Sequence, residues 1–190
     1  MVRLGILGDI GSGKSFVAKS FGYPVFNADK EVVKIYNKNY KCFIKLKKKF
    51  PKFITKFPIK KIEITKTVEE NKKNIKIIGN IVHPYVSKNL KIFLNKNKKG
   101  KVVLDIPLLL ENKLKIKNLY FIFVNAKQQE IRKRLKKRSN FNEKLYELMK
   151  KNQMSLKLKK KKSNFIINND FRRYTINSSI KKIKKYINHL

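Results

Sequence analysis

Gly8-Asp9-Ile10-Gly11-Ser12-Gly13-Lys14-Ser15 is the stretch that most narrows what this chain can fold into. It follows the apolar run Val2–Leu7 and precedes a helical pattern from Phe16 onward. Glycine, four residues, then Gly-Lys-Ser is the phosphate-loop spacing, and it stands here between a strand and a helix, the context that gives the motif its meaning. Glycines let backbone N–H groups turn inward onto phosphate oxygens, while the following helix points its positive end at the same anion. In such a loop Lys14 reaches the β- and γ-phosphates and the Ser15 hydroxyl sits on Mg²⁺. A tight turn that happens to carry Lys-Ser is the bland alternative, and pattern, position and context stand against it. The chain is expected to bind ATP or GTP.

A length of 190 residues fits one α/β domain with a small insertion. The single Cys42 excludes a disulfide framework and suits a reducing cytosol, so a cytoplasmic location is expected. The N-terminal apolar run is too short for a signal peptide or a membrane span. The net charge of +37 invites a nucleic-acid or anionic-membrane partner. Against that, the basic residues are 43 Lys and only 6 Arg, whereas base and phosphate readout favours the planar Arg fork. Lys also travels with abundant Asn, Ile, Phe and Tyr, the residues of A/T-rich codons, so drift of solvated faces is the favoured reading of the charge, with an anionic partner or attraction of polyanionic substrates such as nucleotides as the alternative. No obligate nucleic acid and no membrane partner is expected.

Along the chain, residues 2–7 read as a buried parallel strand, residues 14–21 as a short helix, and Tyr23–Phe26 as a second strand leaving through Asn27-Ala28-Asp29. Asp29 thus falls at a strand's carboxyl end, where open α/β sheets hold ligands. It is a candidate proton acceptor for an attacking hydroxyl, with a helix N-cap as the structural alternative. From Tyr40 to about Leu94 the spacing of Phe43, Leu46, Phe50, Phe53, Ile75, Ile78, Ile81 and Val82 is helical, broken by Pro51 and Pro58. His83 in this stretch is either a ligand contact or an ordinary hydrogen-bonding residue. Residues 101–111 form a third strand and its exit, in which Asp105 either faces Mg²⁺ or serves a neighbouring loop. Leu119–Val124 is a fourth strand and Phe165–Ile167 a fifth. Between them, a basic helix over 127–138 carries Arg132, Arg134 and Arg138, either a lid over phosphates or a solvated face. Helix is expected to continue from Phe141 to Leu158, with Lys159–Lys162 a flexible, solvated charge run. The last helix places Ile176, Ile180, Ile183 and Ile187 on one stripe for packing against the sheet.

Taken together, Gly11-Ser12-Gly13-Lys14-Ser15, Asn27-Ala28-Asp29, Ile81-Val82-His83-Pro84, Asp105-Ile106-Pro107-Leu108-Leu109-Leu110-Glu111, the Arg134/Arg138 pair, Gln153 with Lys159, and Ile167-Asn168-Asn169 resemble the dephospho-CoA kinase family over nearly the whole chain. The loop marks thousands of proteins; the His-Pro and Pro-Leu-Leu-x-Glu elements in this order select the family. The resemblance implies a P-loop α/β fold with a five-stranded parallel sheet flanked by helices. It divides the chain into a nucleotide-binding core (1–40 and 95–190), a helical acceptor-binding insertion (41–94) and a helical lid at about 134–162. ATP and dephospho-CoA are the implied substrates and Mg²⁺ the implied metal, with the γ-phosphoryl passing to the ribose 3′-hydroxyl. Asp29, Lys14, Arg134 and Arg138 would be catalytic. Gly11, Ser12, Gly13, Lys14, Ser15, Phe16 and, at the adenine edge, Asn169 would hold the nucleotide. His83, Pro107 and Glu111 would face the acceptor, and Ser15 with Asp105 the metal.

Several positions depart from that pattern. Asp9 stands where the family usually has Gly, Phe16 replaces Thr, Asn27 replaces the first Asp of Asp-Ala-Asp, and residues 41–76 align poorly. Another small P-loop kinase, or a nucleic-acid-binding protein on a vestigial P-loop fold, would be the alternatives.

Overall fold

Apolar runs without polar alternation are what strands buried on both faces require, and a parallel sheet needs a helical crossover between each pair. The computed structural model describes residues 1–111, 116–137, 141–151 and 153–189. In chain order its elements are β1 (Val2–Gly8), α1 (Lys14–Ser20), β2 (Val25–Asn27), α2 (Ala28–Lys38), α3 (Tyr40–Lys49), α4 (Lys61–Glu70) and α5 (Asn74–Lys96). There follow β3 (Lys101–Asp105), β4 (Leu119–Asn125), α6 (Gln128–Lys136), α7 (Glu143–Lys151), α8 (Leu156–Lys161), β5 (Phe165–Asn168) and α9 (Arg173–Asn188).

The chain divides into two compact units, Met1–Asn27 with Asn97–Leu190, and Ala28–Lys96. In the first, the five strands form one parallel sheet, as the resemblance implies, and their order is β2-β3-β1-β4-β5. Because all strands point the same way, their carboxyl ends share one edge of the sheet. That edge carries Gly8, Asn27, Asp105, Asn125 and Asn168, the last residues of the five strands. Leu4, Ile6, Val103, Ile122, Val124 and Ile167 from the strands pack with Val17, Ala18 and Phe21 of the α1 region. The predicted stripe Ile176, Ile180, Ile183 and Ile187 of α9 closes this core.

The second unit is helical and has a core of its own. Cys42, Phe43, Leu46, Phe50, Ile54, Ile59, Ile78 and Val82 are buried together with Ile35. Asn39 caps α3 by accepting the Cys42 N–H at 2.9 Å. Glu63 reaches back to accept the Lys60 N–H at 2.7 Å at the start of α4. The unit spans Ala28–Lys96, so it takes in α2 as well as the 41–94 stretch.

Three sequence expectations change. The strand read over Tyr23–Phe26 is shorter and later, Val25–Asn27, with Ala28 and Asp29 already helical. The helix expected from Phe141 to Leu158 is two helices, because α7 stops at Lys151 and Ser155 opens α8 by accepting the Leu158 N–H at 3.3 Å. Lys159–Lys162 is not uniformly a solvated run either: Lys159–Lys161 belong to α8, and Lys159 is only 3% exposed while Lys160, Lys161 and Lys162 are exposed.

Candidate active site

The phosphate loop leaves the carboxyl end of the central strand β1 and ends on Gly13 at the start of α1. Gly11 and Gly13 have φ of 83° and 89°, in the left-handed region that a side chain disfavours. A side chain would also crowd its neighbours. A Cβ on Gly13 would lie 2.4 Å from Asn169 Nδ2, and one on Gly11 would lie 3.0 Å from Ile131 and Leu135 of α6. Glycine at these positions therefore sets both the turn and the close approach of its neighbours.

Side chains at the other strand ends hydrogen-bond along this edge, and one of them reaches the loop. Asn169, just beyond β5 and buried, donates from Nδ2 to the Ser12 carbonyl at 2.8 Å, while its Oδ1 accepts the Phe171 N–H at 2.7 Å. Asn125 and Asn168, cross-strand partners at the ends of β4 and β5, share a bond of 2.9 Å. Asn27 and Asp105 are likewise paired across β2 and β3, and Asn27 Nδ2 donates to Asp105 Oδ2 at 2.6 Å. Of the two readings of Asp105, hydrogen bonding to a neighbouring segment is thus seen directly. Ser12 Oγ is buried with no protein partner among the described residues.

Lys14 folds over the loop, its Nζ donating to the carbonyls of Asp9 at 2.6 Å and Gly8 at 3.2 Å. Ser15 and Phe16 are exposed on the first turn of α1. Arg134 projects from α6 with its guanidinium 4.2 Å from the ring centre of Phe171. Phe171 itself holds φ of 66°, unusual for a bulky residue and typical of backbone forced by its surroundings. Arg138 lies outside the described residues.

The exit from β3 is fastened from the C-terminal side. Glu111 Oε1 accepts the Met154 N–H at 2.8 Å and meets Lys159 Nζ at 2.9 Å. Gln153 also accepts from Lys159, at 3.2 Å. Burial pushes the Glu111 carboxyl upward, but the Lys159 ammonium and the Met154 N–H outweigh it and hold its pKa below the ordinary carboxylate value. Pro107 in this exit is exposed, and Leu108 beside it has φ of 55°.

Asp29 and His83 belong to the helical unit. Asp29 is exposed in the first turn of α2, two residues beyond β2, where a carboxylate suits the helix dipole. His83 is exposed on α5, its ring lying over Gly79 one turn earlier, with Pro84 next to it. Three side-chain contacts escaped the sequence: the Asp9–Gln128 bond, the Phe171 ring under Arg134 and the Lys159–Glu111 pair. For Lys159 a signal existed, its six-residue spacing from Gln153, but a run of four lysines hid which one turns inward.

A parallel sheet with its glycine loop on the central strand, and polar side chains along the carboxyl edge, defines a P-loop protein. Comparison with known proteins narrows the class. The dephospho-CoA kinase family model matches residues 2–173, so the chain belongs to that family. It is 33% identical over 186 residues to a dephospho-CoA kinase from the Wolbachia of Brugia malayi, covering 95% of each chain. The dephospho-CoA kinase structure from Campylobacter jejuni superposes with a TM-score of 0.62 at 25% identity, covering 97% of this chain and 96% of that one. Thermus thermophilus TT1252 shares the fold with a TM-score of 0.75 at 24% identity, covering 100% and 97%.

Proposed function

We propose that this chain transfers the γ-phosphoryl group of ATP to the ribose 3′-hydroxyl of dephospho-CoA, giving coenzyme A and ADP. The observation that carries this is the family match over residues 2–173 together with an intact Gly-Ser-Gly-Lys-Ser loop. Lys14 and the amides of Gly11–Phe16 hold the donor phosphates, with Asn169 behind them at the adenine side. The donor set suits Mg²⁺ accompanying a nucleotide, which needs one or two protein ligands beside phosphates and water. Among the described residues no three His, Cys, Asp or Glu cluster as a protein cage would demand. Ser15 supplies a hydroxyl, and Asp105 a carboxylate oriented by Asn27. Bound there, the metal would supply charge neutralisation to the donor phosphates.

Asp29 accepts the proton of the acceptor hydroxyl as its oxygen forms the new bond to the γ-phosphorus and the bond to the ADP oxygen breaks. Arg134 and Arg138, on a lid reaching from about 134 to 162, balance the charge in transit. His83 and Pro107 face the acceptor, and Glu111 fixes the loop that carries Pro107. No nucleic acid is required. No described helix is long and apolar enough to cross a membrane, and the cytoplasm is the proposed compartment.

The test is ADP release from Mg²⁺ and ATP with dephospho-CoA and a panel of other nucleoside and metabolite alcohols, the product being located by NMR. Turnover of dephospho-CoA to a 3′-phosphate is expected. Turnover of several other acceptors with none of dephospho-CoA would overturn the assignment.

A further inference from the structure

Asp9 is a carboxylate inside a loop built to receive anions, and the resemblance leads one to expect glycine there. It is nevertheless buried, 3% exposed, and both of its oxygens are engaged. Oδ1 accepts the N–H of Ile10 at 2.7 Å, and Oδ2 accepts from Gln128 Nε2 at 2.7 Å. Its backbone carbonyl accepts Lys14 Nζ at 2.6 Å and the Ser12 N–H at 3.2 Å. One residue thus joins the loop's own turn, its lysine and the first residue of α6.

Helix α6 meets the loop at a second point. Ile131 and Leu135 come within 3.0 Å of where a Gly11 Cβ would be, and Ile10 packs on the same pair. That apolar contact sets distance but not register, because methyl groups slide with little penalty. The Asp9–Gln128 bond is directional and charge-assisted, so it selects one axial position of α6. Arg134, one of the helix's exposed arginines, is carried to the ring of Phe171 by that position.

We propose that Asp9 and Gln128 form a positioning latch, holding the phosphate loop and α6 in the one arrangement that binds nucleotide. The latch rests on the assignment of this loop to ATP. Asp9 acts through the loop backbone and Lys14, its carboxylate being engaged by the Ile10 N–H and Gln128.

Calorimetric titration with Mg·ADP, with no acceptor present, reads the latch directly. Gln128 is exposed, so Gln128→Ala should leave folding intact, and a thermal melt checks this. Its Kd for ADP should rise about tenfold, the size of one charge-assisted hydrogen bond. Asp9→Ala should do the same, and the double variant should be no worse than either single. Asp9→Asn should return most of the lost affinity, because its Oδ1 can accept from Ile10 and its Nδ2 can donate to a flipped Gln128 amide. In turnover assays KM for ATP should move more than kcat. An unchanged Kd in Gln128→Ala, additive single effects, or Asp9→Asn behaving like Asp9→Ala would overturn the latch. Wild-type protein that binds ADP but leaves dephospho-CoA untouched would overturn the kinase assignment and let the latch stand on its Kd values. Wild-type protein that binds no ADP would overturn both.

Discussion

The two units of this chain are held together by different chemistry. Of the buried polar side chains among the described residues, Asp9, Ser12, Asp105, Lys159 and Asn169 belong to the sheet unit, and only Thr67 to the helical unit. In the sheet unit, Asp9 and Asn169 fix the phosphate loop through directional hydrogen bonds, while Asp105 and Lys159 are paired with Asn27 and Glu111. The helical unit has an apolar core, with Asn39 and Glu63 capping helix starts and Asn89 of α5 donating to Glu31 of α2 at 3.1 Å. Apolar packing tolerates many substitutions of similar size, which is how residues 41–76 can align poorly with the family pattern and still fill a core.

Asp29 tests this contrast hardest, since it belongs to the helical unit yet is assigned to the chemistry. Asp29→Asn should lower kcat about 10³-fold, in the range of a lost general base, with ADP affinity unchanged in calorimetry. Near-normal turnover would return Asp29 to a helix-end role and make the division between the units complete. Next in size is Lys159→Met, which strands the Glu111 carboxylate. A stability loss of about 3 kcal/mol is expected in urea titration. Adding Glu111→Leu should recover much of it, and failure to recover would mean that packing, not charge pairing, fastens the β3 exit.

Leu46→Ala removes a fully buried side chain from the helical core and should cost about 3 kcal/mol. While the variant stays folded, its Kd for ADP should equal that of the wild type; a tenfold rise would erase the contrast. The smallest effect belongs to Glu63. Burial pushes its carboxyl upward, but the N–H groups of Lys60 and Thr55 outweigh this and lower its pKa from the ordinary 4.5. Its contribution is present above pH 4.5 and lost as pH falls through the depressed folded value. Glu63→Gln should therefore be less stable by under about 1 kcal/mol at neutral pH. Melts taken down the pH scale should show the gap closing below pH 4.5.

What could be read from sequence follows the same division. β1, β3, β4, β5 and the α9 stripe were legible because a strand buried on both faces and a helix buried on one each leave a periodic mark. The three-residue β2 leaves hardly any, and its limits shifted. Helix α3 was bounded by Pro51 as read, since the helix ends at Lys49. Pairings between distant residues leave no local trace: 119 positions separate Asp9 from Gln128, and Lys159 meets Glu111 across 48. Loop residues were therefore legible as a motif, but the contacts that hold the motif in place were not.

Helix α9 carries one more consequence. Its inner face is four isoleucines and much of its outer face is lysine. An element asked only to separate inside from outside can be written with a two-letter alphabet, so a chain drifting toward a few amino acids keeps its scaffold almost free of charge. The phosphate loop admits no such economy of letters. Gly13 is pinned by its φ and by Asn169 2.4 Å from a missing Cβ. Under continued drift, the first function to fail would be the turn of that loop, long before the sheet behind it came apart.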